Sequence, residues 1–392
     1  MSRDDVHIEG TFSTDFENVA QILSDNLASG ADVGASVCII QDGKNVVDIW
    51  GGYVDEESRT PWARNTIVNV WSITKTMTAL CALLLYDRGE LDMNAPVAKY
   101  WPEFAVNGKE NIEVRHLLSH TSGIAGWDQV VTLEDICDTE MSTDLLAAQT
   151  PWWTPGTASG YHLLTYGHLI GEVVKRVSGQ TLGNFFANEI ASPLQADFHI
   201  GLDPSDLDRV SDVITPVPPP GGSKLLDMLP NDNITKRTFK NLSPSPFDPM
   251  ANTELWRRSE VGAANGHGNA QSVAKIQSIV SHHGEVGGKQ FISERTIEKI
   301  FEEQSNGPDQ VLFGMQLRFG IGYGIGDQEW LGHGFGSHRA CWWSGMGGSR
   351  VVNFVDDNLT ISYVMNKMAH AAITGEPRGN AIVSAAFKGA FS

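Results

Sequence analysis

Val70-Trp71-Ser72-Ile73-Thr74-Lys75-Thr76-Met77-Thr78-Ala79-Leu80 reads as the end of a loop running into a long apolar helix. Ser72 stands at the helix start and Lys75 one turn later. Residues three apart share a helix face. A hydroxyl and an amine are thereby held within reach of one another, as a nucleophile and its base require. The apolar body (Met77, Leu80, Cys81, Leu83, Leu84, Leu85) runs to about Asp87, and Arg88-Gly89 fits its stop. The same spacing recurs at Ser272-Val273-Ala274-Lys275. That copy lies in a helix whose apolar face is Val273, Ile276 and Val280, so Ser272 and Lys275 are expected on the solvated side.

Upstream, Phe16, Val19, Ala20, Leu23 and Leu27 share a helix face that Ser13 or Thr14 can cap and Gly30 and Gly34 can end. The runs 35–40 and 46–50 predict two strands joined at Asp42-Gly43, a hairpin signal. From about residue 92 to 300 strand signals fade. Helical windows take over, at about 113–119, 143–149, 166–177, 181–190, 269–283 and 293–303. Ile214 to Met250 holds Pro216, Pro218, Pro219, Pro220, Pro230, Pro244, Pro246 and Pro249. It is too proline-rich for a core element, and reads as an irregular connection or an ordered flap over a pocket. Strand character returns in glycine-rich 319–326 and in 349–355 and 359–365, which flank Asp356-Asp357-Asn358. A helix over about 379–391 closes the chain. Strands early and late with helices between imply a sheet completed by both chain ends. Residues 1–90 and 305–392 are expected to form this sheet domain, with 91–304 as a mainly helical insertion carrying the 214–250 loop.

At 41% hydrophobic and 19% charged residues, the 392-residue chain can bury a sizeable core. Its 28 Lys+Arg against 47 Asp+Glu leave a net charge of −19, which opposes binding to nucleic acid or an anionic membrane. Met1 to Gly10 shows no basic start and no apolar run, and no stretch is long enough to span a bilayer. Cys38, Cys81, Cys137 and Cys341 are far apart and read as reduced thiols. The expectation is a cytoplasmic protein. His116 and His120 have metal-ligand spacing, but no Glu stands between them and no third ligand suggests itself, so no metal is expected. The absence of Walker A and Gly-x-Gly-x-x-Gly patterns argues against a nucleotide cofactor, and no cofactor is expected. The absence of Gly-x-Ser-x-Gly excludes the α/β-hydrolase elbow as a motif.

A Ser-Lys pair doing acyl transfer also needs a proton shuttle and donors for the oxyanion. Tyr161, ending Pro155-Gly156-Thr157-Ala158-Ser159-Gly160-Tyr161 just before an amphipathic helix, is the shuttle candidate. Tyr166 is the alternative. Trp343-Ser344-Gly345-Met346-Gly347-Gly348-Ser349 is the candidate cleft wall and oxyanion turn, with the Ser72 N–H as second donor. A plain glycine-rich turn is its alternative. His333-Gly334-Phe335-Gly336-Ser337 competes for that place; the Trp343 register is preferred because Gly347-Gly348-Ser349 passes directly into the closing hairpin. His333 and His338 are candidates for the entrance, and His120 for supporting the cleft by hydrogen bonding.

Together these residues resemble the serine β-lactamase-like superfamily, in its class C β-lactamase-like or family VIII esterase branch. The resemblance spans about residues 15 to 391. It rests on Ser72-Ile73-Thr74-Lys75, on Leu117-Leu118-Ser119-His120-Thr121-Ser122-Gly123, and on Pro155-Gly156-Thr157 with Tyr161. Asn265-Gly266-His267-Gly268, Trp343-Ser344-Gly345 and Tyr363-Val364-Met365-Asn366-Lys367-Met368 complete it. It implies an α/β (α+β) fold of the β-lactamase/penicillin-binding-protein kind, an antiparallel sheet flanked by helices with a helical insertion. It also implies an acylated Ser72, Lys75 and Tyr161 as the base pair, and an oxyanion hole made by the N–H groups of Ser72 and Met346.

Two departures narrow the chemistry. The β-lactamase and peptidase branches usually carry Asn two residues after the tyrosine, where this chain has Leu163. Their late motif usually opens with Lys or His, where this chain has Trp343. An aromatic ring cannot replace a cation holding a substrate carboxylate. The expectation is therefore a carboxylesterase-type serine hydrolase acting on a small-molecule ester. The alternatives are an acyltransferase on the same site, with Trp152, Trp153, Trp330, Trp342 and Trp343 excluding water, a weak β-lactamase or D-Ala peptidase, or an inactive binding protein. Acyl group, alcohol and oligomeric state are not legible in the sequence.

Overall fold

The computed structural model describes residues 7–57, 60–216, 224–243, 249–326, 336–369 and 376–392. Pro218, Pro219, Pro220, Pro244, Pro246, Trp330 and the His333-Gly334-Phe335 stretch lie outside the described residues.

A nine-stranded sheet forms among the described residues, every neighbouring pair antiparallel. In spatial order its strands are Ile8–Phe12, Lys44–Gly52, Gly34–Gln41, Leu359–Met365, Arg350–Phe354, Ala340–Ser344, Gly324–Ile325, Gln316–Phe319 and Ser305–Pro308. The early hairpin thus joins the late strands at the pairing of Gly34–Gln41 with Leu359–Met365. Side chains alternate across it with the strand period of two. Val37 and Ile39 face a layer made by helices Glu17–Ser29 and Pro377–Ala390, where Val19, Leu23, Leu27, Ile382 and Val383 are buried. Cys38 and Ile40 face the opposite, larger core, which holds helices Thr74–Asp87 and Ala270–Ser281. The sheet is therefore buried on both faces, which explains why Gly34–Gln41 reads as an almost unbroken apolar run.

Several boundaries differ from the sequence expectation. The strand Ile8–Phe12 was hidden by its polar composition; four of its five residues are exposed, as an edge strand tolerates. Gly30 ends the first helix in a left-handed conformation, whereas Gly34 opens the next strand. A small second sheet joins Ile67–Asn69 to three strands from the region where strand signals fade, His199–Ile200, Val210–Ser211 and Gly266–Gly268. Segments of two or three residues are too short to show a period, so the sequence could not announce them. This small sheet matters because Ile67–Asn69 leads directly into Ser72. Among the described residues no helix is long and apolar enough to cross a membrane.

Candidate active site

Ser72 sits in a single 3-10 turn, Trp71–Ile73, which passes into helix Thr74–Asp87. The small sheet fixes its entry. The Val70 N–H donates to the Gly266 carbonyl at 2.9 Å, and the Gly266 N–H donates to Thr74 Oγ1 at 2.8 Å. Trp71, immediately before Ser72, has φ +51°, a left-handed conformation that a bulky residue rarely adopts. Its ring is buried and lies 6.0 Å from Trp256, so packing holds the strain.

Lys75 is completely buried. Its Nζ meets three acceptors: Ser72 Oγ at 3.2 Å, Leu163 O at 2.9 Å and Ala263 O at 2.9 Å. Burial pushes the amine well below its ordinary value of 10.5. A neutral amine has two N–H donors and one lone pair. The two carbonyls take the donors, because carbonyls can only accept. The lone pair is left for the Ser72 hydroxyl. Close approach of helix Thr165–Ser178 makes this possible: a Cβ on Gly167 would stand 2.3 Å from the Ala263 nitrogen, so only glycine lets the helix reach the backbone that cradles Lys75.

Tyr161 lies over the same amine, its ring centre 4.7 Å from Lys75 Nζ. Burial raises its phenol above the ordinary 10.0, while hydrogen bonds with the Ser72 and Trp343 side chains oppose that rise. Its backbone is fixed by Asp309, whose Oδ1 accepts the N–H groups of Tyr161 (3.1 Å), Val311 (2.9 Å) and Leu312 (2.9 Å). Behind it, His120 has its ring 4.9 Å from Tyr161, 5.0 Å from Tyr166, 4.9 Å from Phe319 and 5.5 Å from Trp343. His120 Nδ1 accepts the His162 N–H at 3.0 Å, which puts its ring proton on Nε2. Burial, then His162 and Lys75, hold His120 well below 6.5, so it is neutral. His162 is likewise held down to about 4 by burial. It lies 2.6 Å from the Gly160 carbonyl and 2.6 Å from Ser122 Oγ.

The third wall is the turn after strand Ala340–Ser344. A Cβ on Gly345 would stand 2.4 Å from the Val70 carbonyl oxygen, so this glycine lies directly against the segment that carries Ser72. Inside the turn, the Gly345 N–H donates to Ser349 O at 2.7 Å and the Gly348 N–H to Gly345 O at 3.2 Å. Neither of these bonds uses the Met346 N–H. Ser344, Met346 and Leu163 are partly exposed.

The structure therefore brings Ser72, Lys75, Tyr161, Leu163, His120 and Trp343 together and lays Gly345, flanked by Ser344 and Met346, against the segment that carries Ser72, with some duties altered. Trp343 is buried, its ring 6.1 Å from Tyr161 and stacked on it. It props the tyrosine rather than lying open to solvent. Leu163 contributes its carbonyl to Lys75 as well as an apolar side chain. Tyr166 is buried with its hydroxyl unpaired and its ring centre 5.8 Å from Lys75, farther than that of Tyr161.

Two expectations are corrected. Ser272 is buried, not solvated: its Oγ accepts the Asn269 N–H at 3.0 Å in a capping box at the start of helix Ala270–Ser281, and Lys275 Nζ turns to the Gln195 carbonyl at 3.5 Å. His338 is not at the entrance. It bonds Asp357 at 2.7 Å, in the turn at the end of strand Arg350–Phe354 opposite to Gly345. The His116–His120 spacing also dissolves. The helix ends at Leu118, His116 Nδ1 accepts the Glu113 N–H at 3.1 Å, and His120 has φ +62° beyond the helix.

Asp309, His162 and the Leu163 and Ala263 carbonyls were missed. Carbonyls leave no trace in a sequence. Asp309 did leave one: an isolated carboxylate ahead of Val311-Leu312-Phe313-Gly314, in a position to turn the chain through its own side chain.

A model of the beta-lactamase family matches residues 19–382. The chain is 32% identical over 304 residues to the esterase/beta-lactamase LipL of Mycobacterium tuberculosis (strain ATCC 25618 / H37Rv), covering 74% of this chain and 68% of the relative. The crystal structure of a family VIII carboxylesterase superposes with a TM-score of 0.89 at 35% identity, covering 98% of this chain and all of that one. A penicillin-binding protein homologue from Caulobacter crescentus superposes with a TM-score of 0.87 at 31% identity, covering 98% of this chain and 100% of the other. With the Ser-Lys pair at the start of the central helix and the antiparallel sheet beside it, this chain belongs to the beta-lactamase family.

Proposed function

We propose that this protein is a serine hydrolase that cleaves small neutral carboxylic esters through an acyl-enzyme on Ser72. The observation that carries the reading is the Lys75 amine, enclosed with no carboxylate beside it among the described residues and with two carbonyls as acceptors, so that its lone pair is left for Ser72. Lys75 takes the Ser72 proton as Oγ bonds to the ester carbonyl carbon. Tyr161, kept as a phenol by burial, gives its proton to the leaving alkoxide as the C–O bond breaks, and recovers one from the Lys75 ammonium. The N–H groups of Ser72 and Met346 hold the oxyanion. Water then repeats the sequence on the acyl-enzyme and releases the acid. The esterase named among the relatives and the carboxylesterase among the structures support this substrate class. Leu163 and Trp343 place an apolar side chain and a buried ring where an amide and a cation would favour β-lactams and D-Ala peptides.

The test is turnover of short p-nitrophenyl esters by wild type and Ser72→Ala, with a fluorophosphonate to label the nucleophile. Turnover lost in Ser72→Ala and label on the Ser72 peptide are expected. Undiminished turnover in Ser72→Ala overturns the proposal. Nitrocefin turnover as fast as ester turnover moves the assignment to a β-lactamase. An ester product formed with a competing alcohol moves it to an acyltransferase.

A further inference from the structure

We propose that Arg378, at the start of helix Pro377–Ala390, is a positioning residue for the oxyanion turn, acting through the Gly347 carbonyl. The inference rests on the role given to Met346 under the proposed function.

Gly347 and Gly348 have φ +94° and +138°. Without side chains they have almost no intrinsic restraint, so the turn that presents Met346 must be held from outside. Arg378 does this from helix Pro377–Ala390. Its Nη2 donates to Gly347 O at 3.0 Å, a carbonyl that also accepts the Ala369 N–H at 2.9 Å. Nε and Nη1 are held as well. Nε donates to Glu376 at 2.6 Å, and Nη1 to Asp32 at 2.6 Å, Ala31 O at 2.7 Å and Lys367 O at 3.0 Å. These acceptors hold the three N–H groups of Nε and Nη1, which fixes the plane of the fork and with it the direction of the Nη2 N–H that meets Gly347 O.

The frame is itself rigid. Tyr363 donates to both Asp32 oxygens, at 2.7 and 2.8 Å, and the Gly379 N–H donates to the second Glu376 oxygen at 2.9 Å. The turn lies directly against it: a Cβ on Gly348 would stand 3.1 Å from Glu376 and 3.2 Å from Arg378. A buried ion cluster is seldom a better stabiliser than apolar packing. Its distinctive product here is direction, at two glycines that have no side chain of their own to supply it.

The experiment compares wild type with Arg378→Lys, which keeps a cation between Asp32 and Glu376 but loses the fork. A second variant, Asp32→Asn/Arg378→Met/Glu376→Gln, removes all three charges together, so no carboxylate is left buried and unpaired. Each is titrated for active sites with a p-nitrophenyl ester burst. Then kcat per site, KM, inhibition by an alkyl boronic acid and inhibition by the product acid are measured. Both variants are expected to lose about 10- to 100-fold in kcat per site and in boronate affinity. KM and product binding stay within about twofold, since neither uses the oxyanion geometry. A merely structural role lowers the number of titrated sites and leaves boronate affinity per site intact, and that result overturns the proposal. Met346→Pro, which deletes the N–H, separates the two levels. If it keeps wild-type kcat per site, the oxyanion reading fails. If it loses activity while both Arg378 variants keep theirs, only the role of Arg378 fails.

Discussion

Replacing Gly345 by alanine tests the cleft geometry with a single methyl group. The added Cβ would meet the Val70 carbonyl oxygen at 2.4 Å, a separation real Cβ atoms do not show. Neither side yields freely. The Val70 N–H is bonded to Gly266 O and the Gly345 N–H to Ser349 O. Gly345 is not among the positive-φ residues, so the effect is steric and not a matter of backbone propensity. Reaching an ordinary contact requires the turn to retreat from the Ser72 segment by about 1.0–1.6 Å. A displacement of ~1 Å in a reacting geometry costs about 10²-fold in rate. At ~1.36 kcal/mol per decade this is a barrier increase of about 2.7 kcal/mol. Gly345→Ala is therefore expected to lower kcat about 100-fold per titrated site on p-nitrophenyl butyrate. Gly307→Ala is the control, because a Cβ there meets nothing within 4 Å and its φ is ordinary; its kcat should stay within about twofold of wild type. A Gly345→Ala enzyme that keeps more than about a third of wild-type kcat would refute the contact between this turn and the nucleophile segment as the determinant of the site.

Lys75 supplies a pH test: burial lowers its pKa, so the amine is neutral above that lowered value, and kcat/KM should fall as pH drops through it. Lys75→Arg, protonated at every accessible pH, should lose about 10²–10⁴-fold; retention of more than about a tenth of wild-type activity in a pH–rate series contradicts Lys75 as the base. Asp309→Ala removes the acceptor of three N–H groups and should lower stability by about 2–4 kcal/mol in urea unfolding together with kcat, while Asp309→Asn keeps an acceptor and should lose less of both. Burial raises the Asp309 pKa above 3.8, so its contribution to stability is full below 3.8 and is lost as pH rises through the folded value. Asp309→Asn should accordingly gain stability relative to wild type as pH rises to neutrality, and a pH-independent difference argues against that titration. Ser272→Ala should cost about 1 kcal/mol of stability from its capping box and leave ester turnover unchanged; loss of turnover would return the second Ser-x-x-Lys copy to consideration.

The sequence by itself determined the local features. Three residues of helix put Ser72 and Lys75 on one face, and β-rich runs at 35–40 and 359–365 marked the strands Gly34–Gln41 and Leu359–Met365. Asp42-Gly43 and Asp356-Asp357-Asn358 marked the turns between strands. Tyr161 and the Trp343-Ser344-Gly345-Met346 turn were legible only through their resemblance to a family, because spacing alone left Tyr166 and a plain glycine turn open. Amphipathic periodicity misplaced Ser272, since capping a helix start can bury a hydroxyl that the helical wheel assigns to solvent. His338 was misplaced because nearness in sequence to Trp343 does not say which end of a strand a residue occupies.

The surroundings of Lys75 that fit it for the proposed role of base were decided by tertiary structure alone. Its two carbonyl partners lie 88 and 188 residues away, Asp309 reaches Tyr161 across 148, and Arg378 reaches Asp32 across 346. These partners are backbone oxygens that every residue carries, or charges whose pairing depends on which elements meet. A sequence can show that a lysine stands near a serine. Only the packed chain buries that lysine and so lowers its pKa.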